Sequence, residues 1–129
     1  ETLMRMRPDL YLMTGTQRPQ RDTRIVPFGY HADGVEIQAG MAALMARPGL
    51  ALTARSPRAC VHALTHQFYD HPLNIVGLES LARAMCPAQH ADLDPAATYR
   101  EAVRRFTTLP DAPFVFDAAR RWDGSSCTP

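Results

Sequence analysis

Residues 58–86 place the tightest limit on the fold. Arg58–Leu64 is an apolar run with β-branched Val61 inside it, which predicts a strand. With no spacer the chain then passes through His66-Gln67-Phe68-Tyr69-Asp70-His71-Pro72 into a stretch where Ile75, Leu78, Ala82 and Met85 recur at helical spacing. Asp70 and Pro72 supply a cap and a first-turn proline, and Glu79 and Arg83 lie one turn apart on the opposite, polar face. A strand that feeds a helix through so short a turn points to a layered α/β arrangement. The turn itself is dense in large hydrogen-bonding and polarizable side chains, a composition suited to a bulky ligand.

The same alternation runs through the rest of the chain. Glu1–Arg7 reads as the end of a short helix, broken by Pro8-Asp9 before the strand-like run Leu10–Met13, which Thr14-Gly15-Thr16 closes. A polar loop carrying Arg18, Pro19, Arg21 and Arg24 leads to a second apolar segment, Ile25–Phe28. Asp33 with Glu36 resembles a capping box, and Ile37, Met41, Leu44 and Met45 mark a helix face that Pro48-Gly49 ends, with a turn over Leu50–Leu52. The two methionines read as core filling. Asp94-Pro95 starts a last helix whose buried stripe is Tyr99, Val103 and Phe106, with Glu101 placed to pair with Arg105. Phe114–Phe116 reads as a short edge strand, and Arg120–Pro129 as a frayed polar tail. The expectation is a three-layer α/β/α sandwich with a small, largely parallel sheet over residues 1–116, followed by a polar tail over 117–129. In such sheets ligands gather beyond the strand C-terminal ends, here Thr14-Gly15-Thr16 and the His66–His71 turn.

Composition narrows the function classes. A net charge of +1 over 129 residues, with no basic cluster, argues against nucleic acid as a partner. No apolar run approaches the roughly 20 residues of a membrane helix. The chain starts at Glu1 without a leader, so it reads as a segment of a longer product. Of its three cysteines, Cys60 lies in an apolar strand and reads as a small buried hydrophobe; Cys86 could join Cys127 in an oxidising compartment, but the balance of the reading is against that bond, and the oxidation state of all three stays open.

Catalytic signatures are missing: the sequence contains no nucleophile elbow, P-loop, dinucleotide fingerprint or HExxH, so no enzyme is expected. Asp92 and Asp94 flank Leu93 before Pro95 and suit helix capping better than acid–base work. His62, His66 and His71 raise the alternative of a protein that binds a metal or haem directly, although residues four apart share a face on a helix and not across a strand and turn. Phe68 leans toward the core, whereas the polar end of Tyr69 needs water, a partner or a ligand.

Four motifs in order are familiar together: Pro8-Asp9-Leu10 with Thr14-Gly15, the run ARPGLA at 46–51, the run from Val61 through His66, Phe68, Tyr69, Pro72 and Asn74 to Ala82, and ADLDPAATYREAVRRF at 91–106. Their combination resembles the C-terminal lobe of periplasmic substrate-binding proteins of the iron-complex ABC importers, which take up ferric siderophores, haem or cobalamin. The sequence departs from that pattern at Thr65, where an aromatic is usual, at Asp70-His71, at Leu73 and at Met85-Cys86-Pro87. The resemblance implies ligand contacts from Tyr69, His66, Phe68, Asn74 and Thr14, with an Arg of the 18–24 loop available to an anionic chelate. It implies a transported ferric chelate, haem or cobalamin in place of any intrinsic cofactor, a periplasmic location, an inner-membrane ABC permease as partner, and an N-terminal lobe and first strand outside this chain. An isolated lobe would bind weakly, and its uncovered surface could support homodimerisation, so a non-catalytic interaction domain is a further alternative.

Overall fold

The computed structural model describes residues 8, 10–16, 25–51, 59–69, 71–110, 112–125 and 127, apart from the side chains of Ala51 and Tyr69. The expected helix at 1–7, the arginine-bearing loop at 17–24, Arg58 and Asp70 lie outside the described residues.

The central sheet has the order β1-β3-β5. Strand β1 (Leu10–Gly15) pairs in parallel with β3 (Cys60–Thr65), with Leu10 opposite Cys60 and Gly15 opposite Thr65. Strand β5 (Asp117–Arg121) runs antiparallel along the other side of β3, with Cys60 opposite Arg121 and Leu64 opposite Asp117. The residues expected to begin a polar tail at 117 are therefore an edge of the sheet. Ala118 and Ala119 are compact enough to lie along β3, and the ladder with β3 pairs backbone groups that composition alone suggested were solvated.

Beside this sheet, β2 (Gly29–Tyr30) and β4 (Phe114–Val115) form a short antiparallel ribbon. Ile25–Phe28 is irregular, not strand, but Val26 and Phe28 are fully buried there. Gly15 permits this, because a Cβ at that position would meet the Val26 carbonyl oxygen and lie 2.7 Å from the Phe28 ring.

Helix α1 (Gly34–Met45) starts where the sequence predicts, with the Asp33 carboxylate accepting from the Val35 N–H at 2.7 Å. It buries Ile37, Met41, Leu44 and Met45 against the sheet face formed by Tyr11, Val61 and Ala63. The single-turn helix α2 (Pro48–Ala51) follows in place of a simple turn. After β3, one turn of 3-10 helix (His66–Tyr69) leads to α3 (Asn74–Met85), which lies over the opposite sheet face. Helix α4 (Pro95–Phe106) packs alongside α3, capped by the Asp94 carboxylate accepting from the Ala97 N–H at 3.0 Å. The result is the expected α/β class with helices on both sides of a small sheet.

Helix α3 does not present its expected face. Val76 and Gly77 are buried, while Ile75, Leu78 and Met85 are 48%, 59% and 63% exposed. Gly77 sets the rotation: the helix approaches so closely that a Cβ there would lie 3.3 Å from both Leu64 and Phe68. The expected cap also shifts, since α3 begins at Asn74 with no side-chain cap, and His71 Nδ1 accepts from the Leu73 N–H at 3.1 Å. On α4, Tyr99 and Val103 are buried but Phe106 is 81% exposed, as it occupies the last helical position beyond the packed surface. Glu101 pairs with Arg105 as expected and with Arg104 as well.

Candidate functional site

The parallel register of β1 and β3 brings two loops to one edge. Thr14 is opposite Leu64 and Gly15 opposite Thr65, so Thr14 and Thr16 leave the sheet beside His66. Thr14, His66 and Gln67 are all exposed there. The edge is anchored from below by buried Thr65, whose N–H donates to the Phe116 carbonyl at 2.7 Å. Exposed hydroxyl, imidazole and amide groups on a rigid backing can hydrogen-bond a polar ligand.

Among the other residues expected at the site, Asn74 is exposed at the start of α3. The side chain of Tyr69 lies outside the described residues. Phe68 is buried in the second core, with its ring 6.3 Å from that of Phe114 in a stacked arrangement and 5.5 Å from that of Phe116. It backs the turn from beneath. Tyr99 belongs to the same cluster, and its hydroxyl lies 3.1 Å from that of Tyr30. Burial, and then the hydrogen bond to Tyr30, pushes the Tyr99 phenol well above its ordinary range.

A second constellation lies on the α3 side of the sheet. Cys60, His62 and Leu64 alternate with the buried residues Val61, Ala63 and Thr65, so they share the face turned away from α1. Cys60 is disulfide-bonded to Cys127, with Cα atoms 5.8 Å apart, while Cys86 is free and exposed. This corrects the reading of Cys60 as a lone buried hydrophobe, and Cys127 joins it and not Cys86. The pairing depends on β5, whose register sets Arg121 opposite Cys60 and so brings the following residues back over it.

His62 also borders a pocket large enough for about one water molecule, lined by Leu12, Leu64, Ser80, Leu81, Ala84 and Asp117. Burial pushes the imidazole pKa down, partly offset by attraction to Asp117. Burial raises the Asp117 carboxyl in turn, against the opposing pull of Ser80, His62 and Arg83, although Asp117 as a whole is exposed.

Among the described residues, the one group whose donor atoms could hold a metal ion is Cys60, His62 and Cys127. The structure does not assemble His62, His66 and His71: His62 lies on the sheet face, His66 on the strand-end edge and His71 in the turn before α3. Sequence reasoning missed the cysteine–histidine group. The spacing of Cys60 and His62, two apart in a strand, signals half of it, but Cys127 lies in a segment whose polar composition reads as a solvated tail.

Comparison with known proteins bears on the architecture. No protein-family model matches the chain, and no curated protein sequence does. The crystal structure titled TroA-like Periplasmic Binding Protein FepB, from Veillonella parvula, matches with a TM-score of 0.77 at 23% identity. This chain therefore has the fold of part of a TroA-like periplasmic binding protein. The match covers 90% of this chain and 33% of the other, so the chain spans about a third of the length of the structure it resembles. Among the described residues no helix is long and apolar enough to cross a membrane.

Proposed function

We propose that the chain is the C-terminal lobe of a periplasmic solute-binding protein that captures an iron chelate of siderophore type, or a related complex such as haem or cobalamin, and delivers it to an inner-membrane ABC permease. On this reading it is a binder, and the ligand sits between this lobe and an N-terminal lobe carried elsewhere in the same protein. The observation that carries the proposal is the shared end of the parallel pair, where Thr14, His66 and Gln67 emerge exposed above a buried aromatic cluster. Open α/β sheets bind at such ends. Likeness of fold to a periplasmic binding protein supports the reading. Thr14 and His66 supply hydrogen bonds, Tyr69 stacks or hydrogen-bonds, Asn74 closes the far side, and Phe68 shapes the floor.

The experiment is calorimetry of the full-length two-lobed protein against a panel of ferric siderophores, haem, cobalamin and free divalent metals. Saturable binding of one chelate, weakened about tenfold or more by Tyr69→Ala or His66→Ala with the circular dichroism spectrum unchanged, is the expected outcome. Silence across the panel would refute the proposal.

One observation favours a second reading, self-association of this chain. Ile75, Leu78 and Met85 form an exposed apolar stripe on α3. A sedimentation mass that rises with concentration and falls back in Leu78→Ser would support it, and a constant monomer mass would exclude it.

A further inference from the structure

The group formed by Cys60, His62 and Cys127 has no part in the ligand reading above, and its chemistry is specific. The Sγ atoms of Cys60 and Cys127 and an imidazole nitrogen of His62 all lie within 4.8 Å of one another. Ligands around a tetrahedral cation are separated by roughly 3.3–3.9 Å, given metal–sulfur bonds of ~2.3 Å and metal–nitrogen bonds of ~2.0 Å. In the disulfide the two sulfurs stand closer than that spacing, so reduction must let them part while the imidazole nitrogen already lies within 4.8 Å of both.

Each ligand is placed by the backbone. Cys60 and His62 project together because they are two apart on β3. Cys127 is returned to them by a built turn after β5, in which the Arg121 N–H donates to the Ser125 carbonyl and the Gly124 N–H to the Arg121 carbonyl, each at 3.0 Å. Asp123 holds the same turn by accepting from the Ser125 N–H at 2.8 Å and hydroxyl at 2.6 Å.

We propose that Cys60, His62 and Cys127 form, in the dithiol state, a three-ligand site for a thiophilic d10 cation, Zn2+ or Cu+, which their disulfide closes. Two thiolates and one imidazole match the ligand preferences of these ions and not those of Mg2+ or Ca2+. The gate follows from thiol chemistry, since thiolate and not disulfide sulfur is the ligand. A phosphine reductant cleaves the sulfur–sulfur bond, taking up oxygen from one water to become phosphine oxide while two thiols form. The cation then binds both sulfurs and the imidazole and displaces two protons. Cellular dithiols perform the same two-electron reduction by thiol–disulfide exchange, becoming disulfides themselves.

The test uses the full chain carrying Cys86→Ser, which removes the exposed free thiol. The protein is reduced with phosphine and titrated anaerobically with Zn2+ against a chromophoric chelator, and separately with Cu+ against a copper(I) chelator. Co2+ serves as a spectroscopic probe of thiolate coordination. The expected result is uptake of one cation per chain by the reduced form, a thiolate-to-Co2+ charge-transfer band, and at least about tenfold weaker binding by the disulfide form and by His62→Gln. Three results would overturn the proposal: no stoichiometric uptake by reduced protein that retains its circular dichroism spectrum, uptake unchanged in His62→Gln, or unfolding on reduction that neither cation reverses.

Discussion

The two faces of the central sheet are each covered by a helix of 12 residues, α1 on one side and α3 on the other, yet they are different surfaces. On the α1 side Tyr11, Val61 and Ala63 meet Ile37, Met41, Leu44 and Met45 in a continuous core. On the α3 side Leu64 and Phe68 meet Gly77 closely, but Leu12 remains 46% exposed, and Cys60 and His62 are half-buried. One face is closed by packing; the other is held at its far end by a covalent bond and keeps its chemically active side chains within reach of solvent. Packing thus holds one side of β3 and a covalent cross-link beside His62 the other, and the strand's alternation separates the two residue by residue.

That division can be broken by measurement. The largest expected effect is on the thinly packed side: the Cys60–Cys127 bond closes a loop across 67 residues, so in oxidising buffer Cys60→Ser should lower unfolding free energy by about 4 kcal/mol on the chain-entropy model. Urea denaturation with and without reductant checks this, since the variant should be insensitive to reduction. Met41→Ala, on the packed side where Met41 is 0% exposed, should cost about 3 kcal/mol in either redox state. An equal loss from Leu12→Ala would show that the faces do not differ. Gly77→Val should cost about 2 kcal/mol by forcing α3 away from Leu64 and Phe68, whereas Gly34→Val, where nothing lies within 4 Å, should lack that steric cost. Leu78→Ser should change monomer stability by less than about 0.5 kcal/mol, because its side chain already faces solvent. A larger loss in a dilute sample would mean that the exposed stripe of α3 is covered in solution.

The two helices also show how far the sequence reaches. The α1 face was legible because an amphipathic stripe of large residues has one way to bury itself, and Asp33 and Asp94 were legible as caps because a cap bonds within three residues of itself. The α3 stripe misled because hydrophobic periodicity measures which side is oily and not how closely a partner can approach. Gly77, which has no side chain to register on that scale, permitted the closest contact and turned Ile75, Leu78 and Met85 outward.

Sequence by itself determined the α/β class, strands β1 and β3, helices α1, α3 and α4, the Asp33 and Asp94 caps and the location of the turn after β3, most of which rest on interactions spanning a few residues. Only the tertiary structure decided that 117–121 is a strand, that Cys60 bonds Cys127 and not Cys86 to Cys127, and that His62 stands with sulfur while His66 stands at the strand-end edge. Those outcomes depend on register across a sheet, where residues 67 apart in the chain become neighbours through backbone hydrogen bonds that any sequence can make.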